Sequence, residues 1–157
     1  MSRWRCRLKA MAFLLVGHPK AAEAVFTDML QRWPNDAYAL ASRSHTRAQM
    51  GHAADALDDA LALVRVNPNA GAADWFNAGF LLDQHGRDAE AEGAFRRALA
   101  IDPKLDRAWY GLGLALIRQH RFDDAVAALK RNTKLQPMSP YGWYQLARVH
   151  MDRQDLE

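Results

Sequence analysis

The chain has 157 residues, half of them hydrophobic and a quarter charged, which is typical of a globular protein rather than a disordered segment. Its net charge of +3 is too small to indicate nucleic-acid binding by itself. A single cysteine, Cys6, excludes an internal disulfide framework, so the fold needs no oxidising compartment and we expect a cytoplasmic location. No apolar run approaches the roughly 20 residues of a membrane span.

The N-terminal segment has features of a short signal peptide, because basic residues precede an apolar run over residues 10–16. The basic residues are Arg3, Arg5, Arg7 and Lys9. Against a signal, the apolar run is at the lower length limit, and Lys20 places a charge where cleavage would occur. We favour a helix of the mature protein, although a signal would make the location periplasmic.

A five-residue phrase recurs at a fixed period farther along the chain. It reads Trp-Phe-Asn-Ala-Gly over 75–79, Trp-Tyr-Gly-Leu-Gly over 109–113 and Trp-Tyr-Gln-Leu-Ala over 143–147. Small residues recur with the same phase at Ala10, Ser44, Gly79, Gly113 and Ala147, and alanines at Ala22, Ala56, Ala91 and Ala125. Each unit closes with a proline, at Pro34, Pro68, Pro103 and Pro137. A fixed period of this length indicates a stacked repeat protein.

The pattern of tryptophan, small residues, alanine and proline resembles the tetratricopeptide repeat over nearly the whole chain. The resemblance implies an all-α, right-handed superhelical solenoid of antiparallel helix hairpins. Residues 3–36 and 37–71 form two degenerate repeats, 72–105 and 106–139 two regular ones, and 140–157 the first helix of an incomplete fifth. One inserted residue falls at 69–71.

Each repeat is expected to contain two apolar-periodic helices joined by a short turn. The predicted turn residues are Gly17, Gly51, Gly86 and His120. Small residues let the two helices approach closely, and we predict that Trp75 and Trp109 are well-buried core residues. Arg43 occupies a position where an apolar residue is expected, and the sequence alone does not explain it.

The fifth repeat lacks a second helix, so its first helix either caps the stack or belongs to a longer protein, which we favour. Its uncovered apolar face also predicts self-association through this C-terminal helix.

Motifs of catalysis and metal binding are missing from the sequence. It has no Gly-x-Ser-x-Gly elbow, phosphate loop, His-Glu-x-x-His or Cys-x-x-Cys. Four histidines could suggest a metal site, but the repeat phase places them in hairpin turns. They are His18, His52, His85 and His120. We therefore predict a protein that is not an enzyme and uses neither a metal nor another cofactor.

In the tetratricopeptide family, the first helices of the repeats line a concave groove that binds peptides. Carrying the groove positions over gives Tyr38, Ser42, His45, Gln49, Phe76, Asn77, Phe80, Gln84, Arg107, Tyr110, Leu114, Arg118, Tyr141, Tyr144, Gln145 and Arg148. This surface is rich in aromatic and amide side chains and has arginines towards its C-terminal end. Tyrosine and arginine are frequent interface hot spots. Phe76 and Tyr110 have the alternative role of packing between repeats.

The resemblance thus implies a non-catalytic module that binds a peptide or partner protein as a scaffold or adaptor, and the Ala- and Arg-rich composition suggests a bacterial source. The family's clamp for chaperone tails is not expected, because only Asn77 and Arg107 match its pattern. Two alternatives are a regulatory or substrate-recruiting arm of a larger enzyme and, less favoured, an RNA-binding array. Acidic Asp83 and Asp152 in the groove argue against nucleic acid.

Overall fold

Regular turns divide the chain into helix hairpins. The computed structural model describes residues 1–154, and this part is built from nine α-helices without a β-strand. The last three residues of the predicted fifth repeat lie outside the described part. The chain separates into two compact units, Met1–Ala70 and Gly71–Glu157, and their boundary falls at the inserted residue. They are called the N-terminal and the C-terminal unit below.

The N-terminal unit contains two hairpins. Its helices are α1 (Arg3–Leu15), α2 (Pro19–Arg32), α3 (Ala37–Gln49) and α4 (Ala53–Val66), and each packs on the next. Pro19 suits the first position of α2, since its missing N–H would have no partner there. Asp36 caps α3, where its side chain accepts a 2.9 Å hydrogen bond from the Ala39 N–H. These local signals fix where the helices begin.

The C-terminal unit contains two further hairpins and a final helix. Its helices are α5 (Ala72–Gln84), α6 (Asp88–Ile101), α7 (Asp106–Arg118), α8 (Phe122–Leu135) and α9 (Pro140–Gln154). Each helix packs on the next, and α5 also contacts α7. The first helices of these two repeats are therefore neighbours, so side chains from α5 and α7 can form one surface.

Residues with a left-handed backbone end the first helix of each hairpin. Their φ angles are 76° at Gly17, 82° at Gly51, 68° at Gly86 and 57° at His120. The four predicted turn positions are confirmed. Glycine adopts this conformation without the steric penalty of a Cβ atom, and it commonly follows a helix C-terminus for that reason.

The small-residue column lets the helices of a hairpin touch. A Cβ atom at Gly79 would lie 2.9 Å from the Phe95 ring, and one at Gly113 would lie 2.8 Å from Leu129. Phe95 and Leu129 are almost completely buried. The predicted close approach within the hairpins is confirmed in the C-terminal unit, and it is produced by large side chains of the second helix that fill the space left by glycine.

The prediction that the tryptophans are well-buried core residues is wrong. Trp75 and Trp109 are only half-buried, and Trp143 is 53% exposed. The Trp109 indole N–H donates to the carbonyl of Pro103 at 2.8 Å, and Trp143 donates to Pro137 at 3.0 Å. Burial of the whole ring would separate the indole N–H from this carbonyl in the preceding turn, so the ring stays at the edge of the hairpin.

Candidate peptide-binding surface

Aromatic side chains on the first helices of the C-terminal unit form the surface that we call the aromatic strip. Its members are Phe76, Phe80, Tyr110, Tyr141 and Tyr144. The rings of Phe76 and Phe80 stack with centroids 6.3 Å apart, and Phe76 also contacts buried Phe95 at 5.9 Å. Phe80 is 47% exposed. Phe76 thus anchors the strip to the core, and Phe80 presents its ring to the solvent.

Arg107 on α7 lies over the face of Phe76, with its guanidinium carbon 4.9 Å from the ring centroid. The side chain is exposed, and within residues 1–154 it takes part in no ion pair. A guanidinium stacked on an aromatic ring keeps its N–H groups free at its edge. Arg107 is therefore oriented by Phe76 and able to receive a carboxylate.

A cavity of about 330 Å³ opens beside Arg107, between α7, α8 and α9. It is lined by Asp106, Arg107, Tyr110, Asn132, Ser139 and Tyr141. Asn132 is buried, and its amide donates to the backbone carbonyl of Asp106 at 2.9 Å. The volume is at the small end of ligand sites and is sufficient for one or two side chains of a peptide.

Tyr110 contributes both to the packing of the core and to the exposed surface. Its ring packs against the buried cluster that contains Leu129, Leu146 and Val149. Its hydroxyl accepts a hydrogen bond of 3.4 Å from the amide of Gln145 on α9, at the edge of the cavity. The packing role foreseen for this residue is therefore present, and its role in binding stays a prediction. A truncation of Tyr110 would remove core contacts together with the surface hydroxyl.

The predicted arginines differ in their availability to a ligand. Arg118 pairs with Asp83 and also with Asp88, whose Oδ1 lies 2.8 Å from Nε. Partial burial lowers the pKa of Arg118. Arg148, by contrast, is exposed and has no ion-pair partner in the part of the chain that the structure describes. Arg107 and Arg148 are thus available for a ligand, and Arg118 is held by carboxylates of α5 and α6.

The other predicted residues of the C-terminal unit differ in exposure. Gln84 is exposed at the end of α5, and Asn77 and Leu114 are half-buried. Tyr141 and Tyr144 on α9 are 68% and 60% exposed. Their exposure makes the α9 end of the aromatic strip the part most open to a partner.

The predicted residues of the N-terminal unit form a more polar surface on α3. Tyr38 is half-buried between the Phe26 ring, 6.2 Å away, and the Arg7 guanidinium, 4.4 Å from its centroid. The Ser42 carbonyl accepts the Thr46 hydroxyl, and exposed His45 and Gln49 share a hydrogen bond of 3.0 Å. Tyr38 therefore contributes packing, and the remainder of this surface offers polar groups.

Further residues of both units were not predicted from the sequence. Asn132 and Ser139 line the cavity but lie on α8 and in the α8–α9 turn, outside the first helices. On α1, the positions that precede Tyr38, Ser42, His45 and Gln49 by 34 residues are Trp4, Leu8, Met11 and Leu15. The repeat period is the signal that gives this α1 set, but the groove positions were carried over only from the second repeat onwards.

One face of α9 is open. Trp143, Ala147 and His150 are exposed there and line, with residues of α8, a cavity of about 690 Å³. The equivalent face of α7 is closed by α8, which leaves Leu116 almost completely buried. Self-association through α9 stays a prediction.

Groups of side chains that could hold a metal ion are not present within residues 1–154. Over the same range, no helix combines the length and the hydrophobicity that crossing a bilayer requires.

Solved structures share this fold at low sequence identity. A MamA structure from Desulfovibrio magneticus RS-1 matches with a TM-score of 0.86 and 20% identity, covering 96% of this chain and 84% of that one. YrrB, described as a TPR protein with an unusual peptide-binding site, matches with a TM-score of 0.86 and 16% identity. The match covers 94% of this chain and 76% of that one. The first TPR of Spaghetti (RPAP3), bound to an HSP90 peptide, matches with a TM-score of 0.70 and 17% identity. The match covers 75% of this chain and 93% of that one.

Sequence families give the same answer. No curated protein matches this chain. Two family models, both described as tetratricopeptide repeat, match residues 42–106 and 81–149, and together they span more than half of the sequence. The predicted all-α repeat fold is confirmed, and the chain belongs to the tetratricopeptide repeat family.

Proposed function

We propose that the C-terminal unit binds an acidic peptide segment of a partner protein along the aromatic strip. The chain would act as a non-catalytic scaffold or adaptor in the cytoplasm. The observation that carries the proposal is Arg107, stacked on Phe76 at the mouth of the cavity and without an ion pair in the described part of the chain.

The chemistry of the strip favours peptide recognition. Arginine can bind a carboxylate through two parallel hydrogen bonds, and a stacked guanidinium loses less side-chain entropy when it does so. Exposed Tyr141 and Tyr144 offer large, rigid contact areas beside it, of the kind found at interface hot spots. An acidic side chain bound by Arg107, with its neighbour inserted into the cavity, would use both features.

The related structures support this class of function. YrrB is described by its peptide-binding site, and the Spaghetti domain is bound to a peptide. Both share the fold of this chain at identities below one fifth, so the support concerns the class of ligand. The aromatic strip and its acidic preference are argued from this chain's own side chains.

The test compares two arginines that lie at the same distance from an aromatic ring but belong to different surfaces. Arg97 lies over Trp75 at 4.9 Å, as Arg107 lies over Phe76, but it belongs to α6 and is not part of the strip. A random peptide library is panned on the wild-type chain, and the affinities of the selected peptides are then measured for Arg107→Ala and Arg97→Ala.

We expect peptides enriched in aspartate and glutamate, whose affinity falls roughly tenfold or more in Arg107→Ala and falls further with salt. Arg97→Ala should bind them like the wild type. Tyr144→Ala should weaken binding, and Tyr110→Phe tests the hydroxyl without removing core contacts. Selection of no peptide, or equal loss in Arg107→Ala and Arg97→Ala, would overturn the proposal.

A further inference from the structure

Helix α1 exposes an apolar stripe opposite to the face that packs in the core. Cys6 and Ala10 are buried against α2. The stripe is formed by Trp4, Leu8, Met11 and Leu15, whose spacing of four, three and four residues places them on one face of a helix. Their exposed fractions are 58%, 53%, 49% and 85%. Large apolar side chains aligned in this way usually mark a binding surface.

The repeat fold does not require this stripe. The equivalent positions on α3 carry Tyr38, Ser42, His45 and Gln49, three of them polar, and α3 is nevertheless a well-formed helix of the same unit. The stripe contacts no covering helix in the N-terminal unit, since α1 packs on α2 through its other face. Exposed Met1 and Val16 extend it at both ends.

Basic residues flank the stripe, and acidic ones are missing. Arg5 and Lys9 lie along one side, exposed and without an ion pair in the described part of the chain. Arg3 and Arg7 lie on the other side, where both approach the carboxylate of Asp36. The first acidic residue of the sequence is Glu23, on α2. The exposed surface of α1 is therefore apolar in the middle and positively charged along its free edge.

We propose that α1 binds the surface of an anionic lipid bilayer, lying in the plane of the interface. The stripe would enter the boundary between headgroups and acyl chains over a length of roughly 16 Å, with Arg5 and Lys9 reaching the anionic headgroups. Trp4 supplies an amphipathic ring of the type that prefers this boundary. The inference concerns the N-terminal unit and does not depend on the peptide site.

A bilayer fits these features better than a protein partner. A protein would need an apolar groove of matching length bordered by acidic side chains on the Arg5 side. An anionic membrane offers an apolar interior and negative charge all along its surface, and each basic residue near it adds to the attraction. The whole stripe, from Trp4 to Leu15, is exposed and therefore accessible to such a surface.

Flotation with vesicles tests the inference on the full chain. Vesicles of phosphatidylcholine with phosphatidylglycerol are compared with vesicles of phosphatidylcholine alone, at low and high salt. The stripe variant is Trp4→Ser with Leu8→Ser and Leu15→Ser, and the charge variant is Arg5→Gln with Lys9→Gln. Matched controls in the C-terminal unit are Ile101→Ser with Leu135→Ser and Met138→Ser, exposed apolar residues outside the aromatic strip, and Lys104→Gln with Lys134→Gln, exposed basic ones. Far-ultraviolet circular dichroism shows that each variant is folded.

The wild type should float with the anionic vesicles and lose most binding at high salt. The charge variant should bind roughly 30-fold more weakly, because two basic contacts are removed. The stripe variant should not float, and both controls should behave like the wild type. The inference is overturned if the wild type stays with the soluble fraction, or if the folded stripe variant floats like the wild type. Equal losses in the controls would also contradict it.

Discussion

Arg43 and Asp59 form a buried ion pair across α3 and α4. Arg43 donates two hydrogen bonds to the carboxylate, at 2.9 Å from Nε and 2.6 Å from Nη2, and Asp59 is only 4% exposed. Arg47 donates to the same carboxylate at 2.9 Å and to Glu23 at 2.7 Å. Arg43, a charged residue at a position where an apolar one is expected, is thus explained by Asp59, the carboxylate that it shares with Arg47.

The regular repeats of the C-terminal unit have apolar residues at the positions of Arg43, Arg47 and Asp59. The equivalent positions in the C-terminal unit, 69 residues farther on, are Leu112, Leu116 and Ala128, all buried. In the N-terminal unit, burial lowers the pKa of Arg47, but the hydrogen bond to Glu23 and the charges of Asp59 and Glu23 outweigh burial, so the pKa is raised. Arg47 therefore keeps its charge inside this network.

Asp59→Ala should destabilise the N-terminal unit by about 3–5 kcal/mol, because it leaves two partly buried guanidinium groups without their shared carboxylate. Urea denaturation followed by circular dichroism measures the change. Introducing the residues of the regular repeat, as Arg43→Leu, Arg47→Leu and Asp59→Ala with Glu23→Gln, should recover most of the loss. A cost below about 1 kcal/mol for Asp59→Ala would show that the carboxylate is dispensable.

The helices and turns could be predicted from the sequence because a fixed period and left-handed turn residues are local signals. The ion-pair network of Arg43 could not be predicted, because the role of Arg43 depends on its partner Asp59 in the following helix. The exposure of Trp109 was also missed, because the period assigns a residue to a face but not the depth of its ring. The cavity residue Asn132 lies on a second helix, where the peptide-groove pattern assigns no site.

Alanine substitutions at Gly86 and Gly93 distinguish the effect of backbone conformation on stability from the effect of packing. A Cβ atom would meet no atom within 4 Å at either position, but Gly86 has a φ of 68° and Gly93 lies within α6. Gly86→Ala should cost about 1–2 kcal/mol, from the left-handed backbone alone. Gly93→Ala should stabilise the chain by about 0.5–1 kcal/mol, since alanine favours a helix interior. Thermal or urea unfolding of both variants measures this, and a change of the same sign in both would contradict it.

Glu92 on α6 should make the stability of the C-terminal unit sensitive to acid. Its carboxylate accepts hydrogen bonds from Gln119 at 2.9 Å, Arg96 at 3.0 Å and Arg121 at 2.9 Å. Burial raises the pKa of Glu92, but these hydrogen bonds and the Arg121 charge outweigh it, and the pKa is lowered from its ordinary value of 4.5. The ionised form is therefore favoured in the folded chain.

Because the folded pKa lies below the unfolded one, the stabilisation is fully present above about pH 4.5 and is lost as the pH falls through the folded value. Glu92→Gln should consequently lower the unfolding free energy at neutral pH and differ less from the wild type near pH 3. Urea denaturation at both pH values measures the difference. A gap between the two proteins that stays constant with pH would rule out Glu92 as the titrating group.

Arg118 and Arg107 should behave in opposite ways, although both are arginines of α7. Arg118→Ala removes ion pairs to Asp83 and Asp88 on α5 and α6, so it should lower stability by about 1 kcal/mol, as expected of a partly exposed pair. The affinity for the acidic peptides should hardly change. Arg107→Ala should lose affinity and lower the melting temperature less than Arg118→Ala does, because its guanidinium contacts Phe76 but holds no ion pair within residues 1–154. Melting and peptide binding are measured on the same preparations. Loss of peptide affinity in Arg118→Ala would mean that a ligand can displace Asp83 and Asp88, and the acidic site would then extend along α7.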